Sequence, residues 1–196
     1  SSAIGAVVVV AFVAAGTAWS LADGAGASRT ALLAAAERTV WDRYATTPVV
    51  NSETAPDEPQ AIADMVAHHR DAIDGSIAFL ARADPASPAA RFAERVVRVQ
   101  TEQVATMEGW LREWYPDAHP VSGWWPMFSA PATTADANSY LTVMIAHHEH
   151  AIAMYGAWIA DGVVQHDELG ILAARIAKGQ EGEIARMRQL VASNAS

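Results

Sequence analysis

The chain reads as an all-α protein: a four-helix bundle made from a duplicated helical hairpin, preceded by an N-terminal transmembrane helix. Three observations predict this. Amphipathic runs with the helical period fill the chain from Pro59 onward, and the alternating pattern of strands is missing. The segment MVAHHRDAI (65–73) returns 79 residues later as MIAHHEHAI (144–152), and ERVVRVQTEQVATM (94–107) returns 80 residues later as ARIAKGQEGEIARM (174–187). Residues 3–22, AIGAVVVVAFVAAGTAWSLA, carry no charged side chain.

That apolar run has the length of a bilayer core, about 30 Å at a rise of about 1.5 Å per residue. No basic start precedes it, so residues 1–23 are expected to form a retained anchor, with a signal peptide as the alternative. Residues 24–58 then supply a flexible joint, a short helix capped by Ser28 and a proline-bearing polar linker. The bundle itself is expected over 59–192. Its first helix covers 59–82 and stops at DPASP; Ser87 and Pro88 cap and open the second, which Pro116 ends. An irregular connection containing WWPMF (124–128) leads to a third helix over 135–160, ended at Asp161-Gly162, and a fourth over 167–192. Repeat 1 (59–115) and repeat 2 (135–192) each have one apolar face to hide, so they should pack on each other with approximate twofold symmetry.

Composition narrows the function. The chain is 52% hydrophobic with a net charge of -9, and Lys178 is its only lysine, so no basic footprint for nucleic acid exists. Cysteine is absent, which removes thiolate ligands and leaves His and Met as the donors for a soft metal.

Those donors recur at matched positions. With Ile62 as origin, Val66, His69, Ile73, Ser76, Ile77 and Leu80 share one face of the first helix, and His68 sits about 100° from His69, on the flank. The third helix repeats this: Leu141, Ile145, His148 and Ile152 lie on the stripe, with His147 on the flank. The partner helices put Gln100, Gln103 and Met107 on the stripe of Val96, and Gln180, Glu183 and Met187 on that of Ile176. Packing should bury a layer in which His148 lies beside His69, with Met65, Met144, Met107 and Met187 close by. Such a layer is either a closed hydrogen-bonded network or a metal site, because an unpaired buried polar group costs about 1–3 kcal/mol. Methionine and histidine four apart on one face suit copper. A di-iron centre is disfavoured, since Glu183 is the only inward carboxylate expected. His150 and Met154 should point outward, and His119 and His166 receive no role.

The paired HH motifs, each followed by Q-x-x-(Q/E)-(V/I)-x-x-M, resemble the duplicated bacterial family called domain of unknown function 305. The resemblance covers about residues 60–192. It implies a ferritin-like bundle outside the cytoplasm with copper as the metal, held by His68, His69, His147 and His148 with Met65, Met144, Met107 and Met187. Gln103 and the Arg70-Asp71 pair depart from the family pattern, so if one half has lost binding, the first is the candidate. The expected function is therefore a single-pass, membrane-anchored copper-binding protein that sequesters or delivers copper and catalyses no reaction. The alternative is an accessory or assembly subunit of a larger membrane complex, such as a copper-dependent oxidase, with WWPMF as a partner surface or a plug over the open end of the bundle.

Overall fold

The structure, a computed structural model, describes residues 56–194 except 125 and 129. The expected anchor, the helix after Ser28 and most of the linker lie outside the described residues. Four helices follow: α1 (Glu58–Leu80), α2 (Pro88–Trp114), α3 (Ala137–Ala160) and α4 (Asp167–Asn194), with a short 3-10 turn at Pro131–Thr134. No strand occurs among the described residues, and no helix there is long and apolar enough to cross a membrane.

Capping chemistry sets the boundaries. Asp57, Ser87 and Asp136 accept from the amides of Gln60, Ala90 and Ser139, with proline in the first turn of α1 and α2. Asp136 is why α3 opens at Ala137, two residues later than expected. At the other end of α3, Gly162 takes φ +70° so that its own amide and that of Val163 can return to Ile159 and Trp158.

α1 packs against α2 and α3 against α4, and the hairpins meet chiefly through α1 and α3. Phe79, late in α1, stacks on Tyr140, early in α3, at 4.4 Å, and Ser76 hydrogen-bonds the Tyr140 hydroxyl at 2.8 Å. α1 and α3 are therefore antiparallel, which places a twofold axis across the seam between them. One further pair of contacts bears this out. Arg70 of α1 pairs with Glu108 of α2; at the equivalent positions Glu149 of α3 pairs with Arg188 of α4, 2.6 Å apart, with the charges exchanged. The duplicated hairpin keeps the ion pair and reverses its sign.

Two apolar clusters fill the ends of the bundle. Met65 and Met107 belong to one, with Ile62, Tyr155, Trp158 and Ile176; Met144 and Met187 belong to the other, with Phe79, Phe92, Tyr140 and Ile184. All four methionines are fully buried. Between the clusters, at mid-helix, lies the layer of histidine and amide side chains.

The 115–136 connection must travel from one end of the bundle to the other, because α2 ends beside the start of α1 while α3 starts beside its end. It does so along the α1–α3 seam, held by one face of α1. The Gln60 side chain donates to Val121 O at 3.0 Å, and Asp64 accepts from the Gly123 amide at 3.0 Å. Trp124 covers His68 at a ring distance of 4.3 Å, and Asp71 accepts from the amides of Met127 at 2.8 Å and Phe128 at 3.2 Å. Gly75 completes the ladder: a Cβ there would stand 2.3 Å from Phe128 Cγ. Trp124 and Phe128 thus close the middle of the bundle, not its open end.

Gly75→Ala should accordingly destabilise. In an exposed helix the change gains about 1 kcal/mol, but here it pushes Phe128 off α1, and overpacking of this kind costs about 1–3 kcal/mol. Limited proteolysis should find the 121–130 segment cut faster than in wild type; an unchanged rate would show that Phe128 does not hold the connection down.

Candidate metal centre

The two HH pairs are sorted by what they touch. His69 Nε2 lies 3.0 Å from Gln103 Oε1, and His148 Nε2 donates to Glu183 Oε2 at 2.9 Å. Each of these bonds stays within one hairpin. Glu183 is further held by Arg95, 3.3 Å away. His69 and His148 therefore belong to the hydrogen-bonded network that was one of the two readings of the layer, although Nδ1 of His148 is buried without a partner.

The rings that meet across the seam are His68 and His147, 3.7 Å apart at their centroids. Both are fully buried, where the helical stripe had placed them on the flank. The reason is that α1 and α3 are covered on two sides, by their hairpin partners and by each other, with the connection laid over the seam. The same rotation leaves Ile77, expected inside, 53% exposed. It also turns His150 and Met154 inward, against the outward orientation expected for them. His150 stacks on His68 at 5.6 Å and touches Trp124 at 4.9 Å, and Met154 is buried in the cluster of Met65.

Nitrogen accounting gives this cluster its character. Neither ring nitrogen of His68, His147 or His150 has a hydrogen-bond partner, and all six atoms are out of reach of solvent. The Asp71 carboxylate makes an ion-pair contact with the cluster, its Oδ2 lying 3.3 Å from His147 Nε2. Asp71 and His150 occupy equivalent positions in the two repeats, so the seam carries three imidazoles and one carboxylate in pseudo-twofold arrangement. No three His, Asp or Glu side chains among the described residues already point their donors at one metal position.

Electrostatics keep the imidazoles neutral. Burial, reinforced by His147, His69 and His150, holds His68 well below the usual imidazole value. Burial likewise brings His69 down to about 3 and His147 to about 4, the latter in spite of the Asp71 carboxylate beside it. Burial also lowers His150. For Asp71, burial works to raise the carboxyl, but His147 and the amides of Met127 and Phe128 outweigh it and the net shift is downward. Neutral imidazoles with free lone pairs are the protonation state that metal ligation requires.

A second polar cluster, absent from the sequence reading, sits at the end of the bundle where α1 begins. Glu58 is fully buried and accepts from the amides of Gln165 at 2.8 Å and His166 at 3.0 Å, from His166 Nδ1 at 2.7 Å and from the Tyr115 hydroxyl. His166 also stacks on Trp114 at 4.0 Å. So His166, given no role before, joins the α3–α4 turn to α1, and Glu183 is not the only inward carboxylate: Glu58 and Asp71 are deeper. The signal for Asp71 was present in the sequence as a ladder, Gln60, Asp64, His68, Asp71 and Gly75, at spacings of three and four along α1. The Glu58 cluster had none, since its members are far apart in the chain.

Comparison with known proteins agrees with the repeat. The family model described as Domain of unknown function (DUF305) matches twice, over residues 60–136 and 126–191. No curated protein and no solved structure matches the chain. The two matches divide the chain as the two hairpins do, and together they span most of it: the protein belongs to the DUF305 family, in a duplicated form.

Proposed function

We propose that the protein is a copper-binding protein of ferritin-like class, anchored to the membrane by its N-terminal segment with the bundle on the extracytoplasmic side, that sequesters or delivers copper without catalysis. One observation supports the metal reading: three imidazoles gathered from both repeats, with five of their six ring nitrogens buried without a partner and the sixth, His147 Nε2, facing the Asp71 carboxylate at 3.3 Å. Left unpaired, each such group costs about 1–3 kcal/mol, and three lone pairs at one seam are a donor set in search of an acid. His68, His147 and His150 would hold the ion, with Asp71 adjacent to His147. The choice of copper follows the chemistry of the set, neutral imidazoles with buried thioethers and no thiolate. Met65, Met107, Met144 and Met187 stand on either side of the layer as soft donors in reserve, and His69, His148 and Glu183 orient the layer through their own hydrogen bonds.

The alternative role as an accessory subunit loses part of its motive, since Trp124 and Phe128 spend their rings on the seam. Copper content after loading and gel filtration distinguishes the roles of the histidines. His68→Ala/His147→Ala should abolish tight copper retention, and His69→Ala/His148→Ala should retain much of it. Equal copper in wild type and His68→Ala/His147→Ala would refute the seam as the site.

A further inference from the structure

A pocket of about 180 Å³ opens between the first turns of α2 and the last turns of α4, lined by Pro88, Arg91, Phe92, Arg95, Arg186 and Leu190. Three of its six lining residues are arginines, in a chain whose net charge is -9. The guanidiniums are poorly matched by acids. Arg91 spends one N–H on the carbonyl of Ala86, Arg95 lies 5.9 Å over the Phe92 ring and 3.3 Å from Glu183, and Arg186 has no carboxylate partner among the described residues. Glu183 is itself committed to His148. The positive end of the α2 dipole adds to the field at the same place.

We propose that Arg91, Arg95 and Arg186 form a binding site for a small phosphate-type oxyanion. Guanidinium forks present paired N–H donors that match such oxygens, and Phe92 and Leu190 give the pocket an apolar wall against which the donors are fixed. Arg95 is shared: an anion in the pocket draws it from Glu183, the carboxylate that orients His148, so occupancy is felt in the central layer. The pocket lies at the end of α1 away from Glu58, where the N-terminal segment enters.

Calorimetric titration of the full chain in detergent with inorganic phosphate, at ionic strength fixed with chloride, tests this. Saturable binding is expected, weakened about tenfold by Arg91→Ala or Arg186→Ala. Glu183→Gln frees Arg95 and should tighten it, and Arg175→Ala, an exposed arginine elsewhere on α4, should leave it unchanged. Absence of saturable binding, or equal effects of Arg186→Ala and Arg175→Ala, overturns the proposal. Short-chain phosphatidylglycerol titrated in parallel separates the sources: binding of it alone, without inorganic phosphate, assigns the pocket to lipid and overturns the soluble-oxyanion claim.

Discussion

The metal-free protein is expected to unfold on mild acidification, losing its fold between about pH 6 and pH 4.5. His68, His69 and His147 are fully buried and neutral, with His69 brought down to about 3 and His147 to about 4. In the unfolded chain each returns to about 6.5. Below that value the unfolded state takes up protons that the folded state refuses, so stability falls as pH falls until the folded values are reached. Each histidine contributes about 1.4 kcal/mol per pH unit over this window, and three together approach about 4 kcal/mol per unit. Over two units that is about 8 kcal/mol, enough to unfold a bundle in the lower half of the typical stability range of about 5–15 kcal/mol. Asp71 and Glu58, whose carboxyls are lowered, do not contribute there: their stabilisation is present above the ordinary carboxylate range and is lost only as pH drops through their folded values. Thermal melts of the metal-free protein from pH 7.5 to 4.5 should show the steep decline, and His68→Leu should reduce its slope by about a third. A stability that stays level to pH 4.5 would mean that these imidazoles are not buried neutral.

Glu58→Ala should be among the more damaging single substitutions, at about 2–3 kcal/mol. The carboxylate is buried and accepts two backbone amides, one imidazole N–H and one phenol, and its removal takes the acceptor from four half-buried donors. These donors come from Tyr115, just past the end of α2, and from the α3–α4 turn, so Glu58 joins both hairpins at one end. Burial acts to raise its carboxyl, but the hydrogen bonds, led by the His166 amide, reverse that and hold it ionised. Glu58→Gln keeps the shape with weaker acceptors and should cost less. Urea unfolding followed by circular dichroism gives the comparison; a loss below about 1 kcal/mol for Glu58→Ala would show that water replaces the carboxylate freely.

The fold was largely legible because its signals are local. Periodicity, the Ser87-Pro88 and Asp161-Gly162 boundaries and the 79-residue echo identify four helices and their pairing, and the family matches fall on the same repeat. The site was legible in composition but not in direction. A single-helix wheel assumes one buried face, and it put His68 and His147 on the flank and His150 outside because it had no way to include a second hairpin and a covering connection. The bonds of His69 to Gln103 and of His148 to Glu183 were implicit in the stripes, since those residues face each other within a hairpin. The meeting of His68 with His147, by contrast, depends on the antiparallel placement of α1 and α3, a property of the whole chain.

Copper-edge X-ray absorption on the copper-loaded full chain tests the central claim most directly, because it reports the ligands themselves. The seam site predicts scattering from two to three imidazoles in wild type, preserved in His69→Ala/His148→Ala and lost in His68→Ala/His147→Ala. Imidazole scattering that persists in His68→Ala/His147→Ala, or a wild-type shell of sulfur or oxygen without imidazole, would contradict it.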